Sequence, residues 1–132
     1  MKGTKGLIVL VLLISLLTGC TASQEESSDS YQSISAEEAK AILDTQSETV
    51  ILDVRELDEY EQEHIPGAVL LPVETIAKDT ASRFIPDQKT PVLVYCRSGN
   101  RSKTASSILA ELGYTQVYNF GGIQDWPFET EP

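Results

Sequence analysis

The sequence has few of the residues that build disulfide or metal sites. It contains two cysteines, Cys20 and Cys96, and a single histidine, His64. Two cysteines cannot support a disulfide-rich scaffold, and one histidine excludes most histidine-based metal centres. Basic residues are also scarce, with 10 against 20 acidic ones and a net charge of −10, which disfavours nucleic acid as a partner. We therefore expect no metal or other cofactor, and chemistry that depends on few side chains.

The length and the overall composition fit one globular domain. The chain has 132 residues, of which 41% are hydrophobic and 23% are charged. Single domains commonly hold about 100 to 150 residues, and the composition is far from that of a disordered chain. We therefore expect one hydrophobic core. The protein is also expected to be a monomer.

The beginning of the sequence has the pattern of an export signal. Lys2 and Lys5 precede an apolar run, residues 7–14, that is shorter than the roughly 20 residues of a membrane span. The tetrad at residues 17–20, Leu-Thr-Gly-Cys, resembles the lipobox of bacterial lipoproteins. That resemblance implies cleavage before Cys20, a lipid on its sulfur, and anchoring on the outer side of the cytoplasmic membrane, or on an outer membrane where the cell has one.

The sequence therefore divides into four parts. Residues 1–19 are expected to be a lipoprotein signal peptide, and residues 20–32, which are polar and rich in serine and glutamate, a flexible tether. Residues 33–126 are the expected folded domain, and residues 127–132 a short acidic tail.

Strand and helix patterns alternate along the predicted domain. Apolar runs without alternation predict buried strands, and spacings of three and four residues predict amphipathic helices. This alternation indicates an α/β domain with a largely parallel sheet. The predicted helices cover residues 36–44, 56–64, 73–82 and the region from 105 to 112, and the predicted strands cover residues 50–54, 68–71, 91–95 and 117–120.

One cysteine lies where a predicted strand turns into a helix. Cys96 ends the strand at 91–95, and residues 97–102 lead into the next helix, so that consecutive backbone N–H groups can form an anion-binding cradle. No carboxylate occurs between Thr90 and Ala110, whereas Arg97, Arg101 and Lys103 are basic. Amide dipoles and guanidinium groups lower the pKa of a thiol. Cys96 is thus the candidate nucleophile, in a loop that suits a small anion.

Four segments together resemble the rhodanese-homology family. They are Asp-Val-Arg-Glu at 53–56, His-Ile-Pro-Gly-Ala at 64–68, Cys-Arg-Ser-Gly-Asn-Arg-Ser at 96–102, and Gly-Gly-Ile at 121–123 with Trp126. The resemblance implies a rhodanese-like fold of about five mainly parallel strands flanked by helices. It also implies a sulfurtransferase in which a persulfide forms on Cys96, with an anionic donor such as thiosulfate and a thiol or cyanide as acceptor.

The loop residues receive separate expected roles. The guanidinium groups of Arg97 and Arg101 suit the oxygens of an anionic donor. The loop amides would stabilise the thiolate and the persulfide, and Gly99 permits a backbone geometry that a Cβ would hinder. Asn100 and Ser102 are expected to shape the loop, with Ser102 capping the helix. The candidate substrate-binding residues are Arg97, Ser98, Gly99, Asn100, Arg101 and Ser102.

Several other residues of the matching segments are expected to be structural. His64 belongs to a turn, Asp53 and Arg55 are expected to form an ion pair or loop anchor, and Trp126 is expected to pack in the core. The acidic run 56–63 is predicted to be a solvated helix face.

Two other functions stay open. Phosphatases and arsenate reductases of related fold also use a cysteine and an arginine on an anion-binding loop, but five residues separate theirs, whereas four lie between Cys96 and Arg101. A non-catalytic binding module with this fold is the second alternative.

Overall fold

The fold is a single parallel β-sheet covered by helices on both faces. The computed structural model of the protein describes residues 30–132. The strands are β1 (Gln32–Ser33), β2 (Val50–Asp53), β3 (Val69–Leu70), β4 (Val92–Cys96) and β5 (Val117–Gly122). The helices are α1 (Ala36–Thr45), α2 (Leu57–Gln62), α3 (Lys78–Phe84) and α4 (Asn100–Glu111), with 3₁₀ turns at Val73–Thr75 and Ile123–Asp125.

The strand order places the longest buried strand at the centre. The five strands lie in the order β1-β5-β4-β2-β3, and every neighbouring pair is parallel. All five residues of β4 are buried, as its unbroken apolar sequence predicts for a strand with both faces covered. The predicted α/β fold with five flanked strands is confirmed, and the sheet is wholly parallel.

Alternation along the strands separates the core into two clusters. Val92, Val94 and Cys96 of β4 face the cluster that includes α3 and α4, whereas Leu93 and Tyr95 face the cluster that includes α1. The second cluster also holds Phe120 and Trp126, which confirms the packing role predicted for the tryptophan.

Local signals explain where two of the helices begin. Ser35 caps α1, because its hydroxyl accepts the Glu38 N–H at 3.1 Å while the Glu38 carboxylate accepts the Ser35 N–H at 2.8 Å. The single helix predicted over residues 73–82 is wrong. The Thr80 hydroxyl accepts the Ala77 N–H at 2.8 Å and donates to the Thr75 carbonyl at 2.7 Å, so the first turn ends there and α3 begins anew at Lys78.

Both ends of the described chain are attached to the sheet or its loops. β1 begins at Gln32, the last residue of the predicted tether, and pairs with β5. At the other end, the backbones of His64 and Glu131 form an antiparallel bridge, so the predicted acidic tail lies against the domain. The predicted signal peptide, Cys20 and most of the tether lie outside the described residues. Within residues 30–132, none of the helices has the length and apolar character needed to cross a membrane.

Candidate active site

Cys96 lies at the carboxyl end of the central strand and points toward the start of α4. Its side chain is almost wholly buried, and the Gly99 N–H donates to its Sγ at 3.0 Å. The carboxyl ends of parallel strands are the common location of binding sites in open α/β sheets. The Gly99 amide is thus one donor of the predicted cradle around this sulfur.

Hydrogen bonds make the Cys96 thiolate favourable despite its burial. Burial raises the pKa of Cys96, but the polar donors around the sulfur, which are the hydroxyl and amide of Ser102 and the amides of Gly99 and Ser98, more than offset it, so the pKa lies below its ordinary value. The pKa of Arg101 is raised mainly by its hydrogen bond to Glu59, and attraction to the Cys96 thiolate adds to the shift. Cys96 is thus a buried thiol that ionises readily.

The start of α4 differs from the prediction. The N-cap is Gly99, whose φ of 109° is a left-handed conformation that favours glycine, so the prediction that Ser102 caps the helix is wrong. Ser102 instead lies within the first turn, with its Oγ 3.0 Å from the Gly99 carbonyl and 3.2 Å from that of Gly121. Asn100 is the exposed first residue of the helix.

The loop that follows Cys96 packs closely against the end of β5. A Cβ at Gly122 would lie 2.0 Å from the Arg97 carbonyl oxygen, so only glycine allows the two backbones to approach this closely. The Gln124 N–H donates to that same oxygen at 3.3 Å. The two glycines at 121–122 thus determine how closely the loop packs against the sheet.

Arg101 has a carboxylate partner that the sequence did not reveal. Its Nη1 and Nη2 donate to the Glu59 carboxylate at 2.7 and 2.9 Å. This hydrogen bond lowers the pKa of Glu59 to about 2, although burial opposes the shift. The prediction that residues 56–63 are only a solvated helix face is therefore wrong at Glu59, because α2 lies beside the loop.

Arg97 is in a different situation from Arg101. Its side chain is exposed, and it forms no ion pair within residues 30–132. It borders a pocket of about 340 Å³ that Glu59, Glu63 and Gln124 also line. Among the two predicted donor-binding arginines, Arg97 is the one whose charge is uncompensated.

Comparison with known proteins agrees with this architecture. The rhodanese-like domain family matches residues 35–128. The chain belongs to this family. It is 42% identical over 74 residues to the thiosulfate sulfurtransferase PspE of Escherichia coli, covering 56% of this chain and 70% of PspE. It is 36% identical over 97 residues to the thiosulfate sulfurtransferase GlpE of Coxiella burnetii, covering 73% of this chain and 87% of GlpE.

A solved structure shows the same arrangement of strands and helices. The structure of a rhodanese with anions from E. coli superposes with a TM-score of 0.60 and 37% sequence identity, covering 63% of this chain and 96% of that one.

A buried ion pair lies beneath the site in this rhodanese-like domain. Asp53 and Arg55 bind each other through contacts of 2.7 to 3.1 Å, which confirms the predicted ion pair. The Tyr95 hydroxyl donates to Asp53 at 2.7 Å and accepts the Ile65 N–H at 3.1 Å. Burial raises the pKa of Tyr95, so the phenol stays protonated. This network anchors the turn that follows β2.

His64 is used in packing between α2 and the C-terminal segment. Its ring stacks on Tyr60 with centroids 3.8 Å apart, and its Nδ1 lies 2.9 Å from the Tyr60 carbonyl. Its Nε2 lies 3.4 Å from the Glu131 carboxylate. These contacts agree with the structural role expected for this residue. Within residues 30–132, no three metal-ligating side chains cluster together.

Proposed function

We propose that this protein is a sulfurtransferase that moves a sulfane sulfur through a persulfide on Cys96. The observation that carries the proposal is the Cys96 thiol, with its lowered pKa, in a cradle of loop amides. The two thiosulfate sulfurtransferases to which the chain is similar support the same chemistry.

The transfer consists of two displacements at sulfur. In the first, the Cys96 thiolate attacks the outer sulfur of thiosulfate, a new S–S bond forms, the S–S bond of the donor breaks, and sulfite leaves with the electron pair. In the second, cyanide or a thiolate attacks the outer sulfur of the persulfide, which breaks the S–S bond and restores the Cys96 thiolate. Such a covalent intermediate gives ping-pong kinetics.

The loop amides and Arg97 have different roles in this transfer. The amides of the loop stabilise the negative charge on the thiolate and then on the persulfide, as amides at a helix N-terminus do for anions. The exposed Arg97 guanidinium binds the oxygens of the donor and of the departing sulfite.

A phosphatase is the weaker alternative. Only four residues separate Cys96 from Arg101, and the Arg101 guanidinium already binds Glu59 through both terminal nitrogens. The arginine of a phosphatase loop has to bind the oxygens of a phosphoryl group instead. We therefore expect hydrolysis of aryl phosphates to be negligible.

Mass spectrometry of the protein after exposure to thiosulfate tests the proposal. We expect the peptide containing Cys96 to gain the mass of one sulfur atom, and cyanide to remove it with release of thiocyanate. Cys96→Ser should show neither event, because Cys96 is the one cysteine among residues 30–132. A chain that hydrolyses aryl phosphates without acquiring sulfur would support the phosphatase, and one that does neither would support a non-catalytic module.

We also propose that the protein is exported and anchored to a membrane by lipid on Cys20. The lipobox-like tetrad that ends at Cys20 and the polar segment after it support this assignment. Detergent-phase partitioning of protein expressed in a bacterium tests it. Wild-type protein should enter the detergent phase and Cys20→Ala should stay in the aqueous phase, whereas equal partitioning of both would contradict the anchor.

A further inference from the structure

The carboxylate of Glu59 compensates the charge of one of the two arginines in the loop and leaves the other uncompensated. Glu59 lies on α2, and both of its oxygens accept from the Arg101 guanidinium. Its pKa of about 2 means that the carboxylate stays ionised at any physiological pH. The positive charge of Arg101 is therefore compensated, and that of Arg97 is not.

This compensation reaches the reactive sulfur. Arg101 belongs to the loop that holds Cys96, and its pKa is raised mainly by the hydrogen bond to Glu59 and to a smaller extent by attraction to the Cys96 thiolate. Glu59 in turn lines the pocket that Arg97 borders. That pocket is lined by two carboxylates, Glu59 and Glu63, and by two guanidinium groups, Arg97 and the ion-paired Arg55. The loop therefore offers one uncompensated arginine, although its sequence contains two.

We propose that Glu59 is a specificity-determining residue that reduces the preference of the site for doubly charged donors. By neutralising Arg101, it weakens the attraction for a dianion such as thiosulfate, and it thereby favours donors of lower charge, such as organic persulfides. This inference rests on the proposed sulfur transfer for its substrate class, whereas the electrostatic role of Glu59 can be measured without any transfer.

Alkylation of Cys96 measures the potential at the sulfur directly. Iodoacetate is an anion and iodoacetamide is neutral, and both react with the thiolate, so the ratio of their rates reports the local charge. Glu59→Gln removes the negative charge and keeps a carbonyl oxygen able to accept the Glu56 N–H. We expect the iodoacetate-to-iodoacetamide ratio to rise by up to about fivefold, because loss of this charge leaves Arg101 uncompensated in the loop that holds Cys96.

Two control variants separate this effect from general changes in charge. Glu61→Gln makes the same charge change on the exposed side of the same helix, and Glu59→Asp keeps the charge at the site. Both should leave the ratio within about twofold of wild type. The charge at Glu61 is exposed and screened by water and salt, and Glu59→Asp retains the negative charge. Near-ultraviolet circular dichroism of Trp126 verifies that each variant is folded. An unchanged or lower ratio in folded Glu59→Gln would overturn the proposal.

Steady-state kinetics then test the consequence for the donor. In Glu59→Gln, KM for thiosulfate should fall several-fold with a smaller change in kcat, and KM for an organic persulfide should change less. A higher thiosulfate KM would show that Glu59 positions Arg101 to bind the donor, and it would contradict the proposal. If the alkylation ratio rises but no variant transfers sulfur, the electrostatic role stands and the proposed function fails.

Discussion

Two arginine–carboxylate pairs lie close together in this domain and differ in their surroundings. The Arg55 and Asp53 side chains are 5% and 0% exposed, whereas those of Arg101 and Glu59 are 34% and 24% exposed. The buried pair is also bound by Tyr95 and by the Glu63 carbonyl, so both of its members have further partners within the protein. The comparison teaches that the same chemical pair has different expected roles, stabilising the fold where it is buried and changing the local charge where it meets solvent.

Breaking the buried pair should have the largest effect. Asp53→Asn leaves the buried Arg55 guanidinium without its counterion, which costs about 3 to 5 kcal/mol of folding free energy. Urea denaturation measures this loss. Asp58→Asn, at an exposed position of α2, is the matched control and should unfold at nearly the wild-type urea concentration. A similarly small loss in Asp53→Asn would contradict the distinction between the pairs.

The free arginine should matter more for the donor than the compensated one. Arg97→Ala removes a charge-assisted contact with thiosulfate worth roughly 1.5 to 3 kcal/mol, which raises KM tenfold or more. The double variant Glu59→Gln with Arg101→Ala keeps the wild-type net charge, and its KM should lie close to that of wild type. Steady-state kinetics with thiosulfate compare the two, and equal effects would show that Arg101 also binds the donor.

Removing one hydroxyl from the buried network should cause an intermediate loss of stability. Tyr95→Phe deletes the donor to Asp53 and the acceptor of the Ile65 N–H, which should cost about 1 to 2 kcal/mol. Sulfur transfer per folded molecule should stay unchanged, because Tyr95 and Cys96 belong to opposite faces of β4. A variant of wild-type stability would show that water replaces the hydroxyl.

The solvent-facing pair should contribute least to stability, and its contribution should depend on pH. Glu59→Gln should cost about 1 kcal/mol or less at neutral pH, since water screens this half-exposed pair. Because folding lowers the pKa of Glu59 from 4.5 to about 2, the contribution is complete above 4.5 and disappears as the pH falls toward 2. The midpoint temperatures of thermal unfolding of wild type and variant should therefore differ at neutral pH and become equal as the pH approaches 2. A difference that grows in acid would contradict this assignment.

Local patterns in the sequence predicted most of the fold and the position of Cys96 at the junction of a strand and a helix. The apolar run of β4 and the capping box at Ser35 involve only residues close together in the sequence, so they could be recognised without coordinates. Contacts between distant residues could not be recognised in this way. Glu59 and Arg101 are 42 positions apart, and nothing in the acidic run distinguishes Glu59 from its neighbours until α2 is placed beside the loop.

Short elements and side-chain competition account for the other differences. β1 has two residues and no apolar pattern, and it exists because β5 offers a free edge. The break between the 3₁₀ turn and α3 depends on the Thr80 hydroxyl, whose partners the periodicity of apolar residues does not reveal.

The contact between Gly122 and the Arg97 carbonyl has a consequence for engineering this domain. The loop 96–102 and the end of β5 pack backbone against backbone, because a Cβ on Gly99 would lie 3.5 Å from the Cα of Gly121. If a loop of different length were transferred alone from a relative, it would not fit the backbone of residues 121–122, which packs closely against the original loop. Residues 96–102 and 121–122 should therefore be exchanged together, because the loop keeps its geometry only against the backbone that fits it.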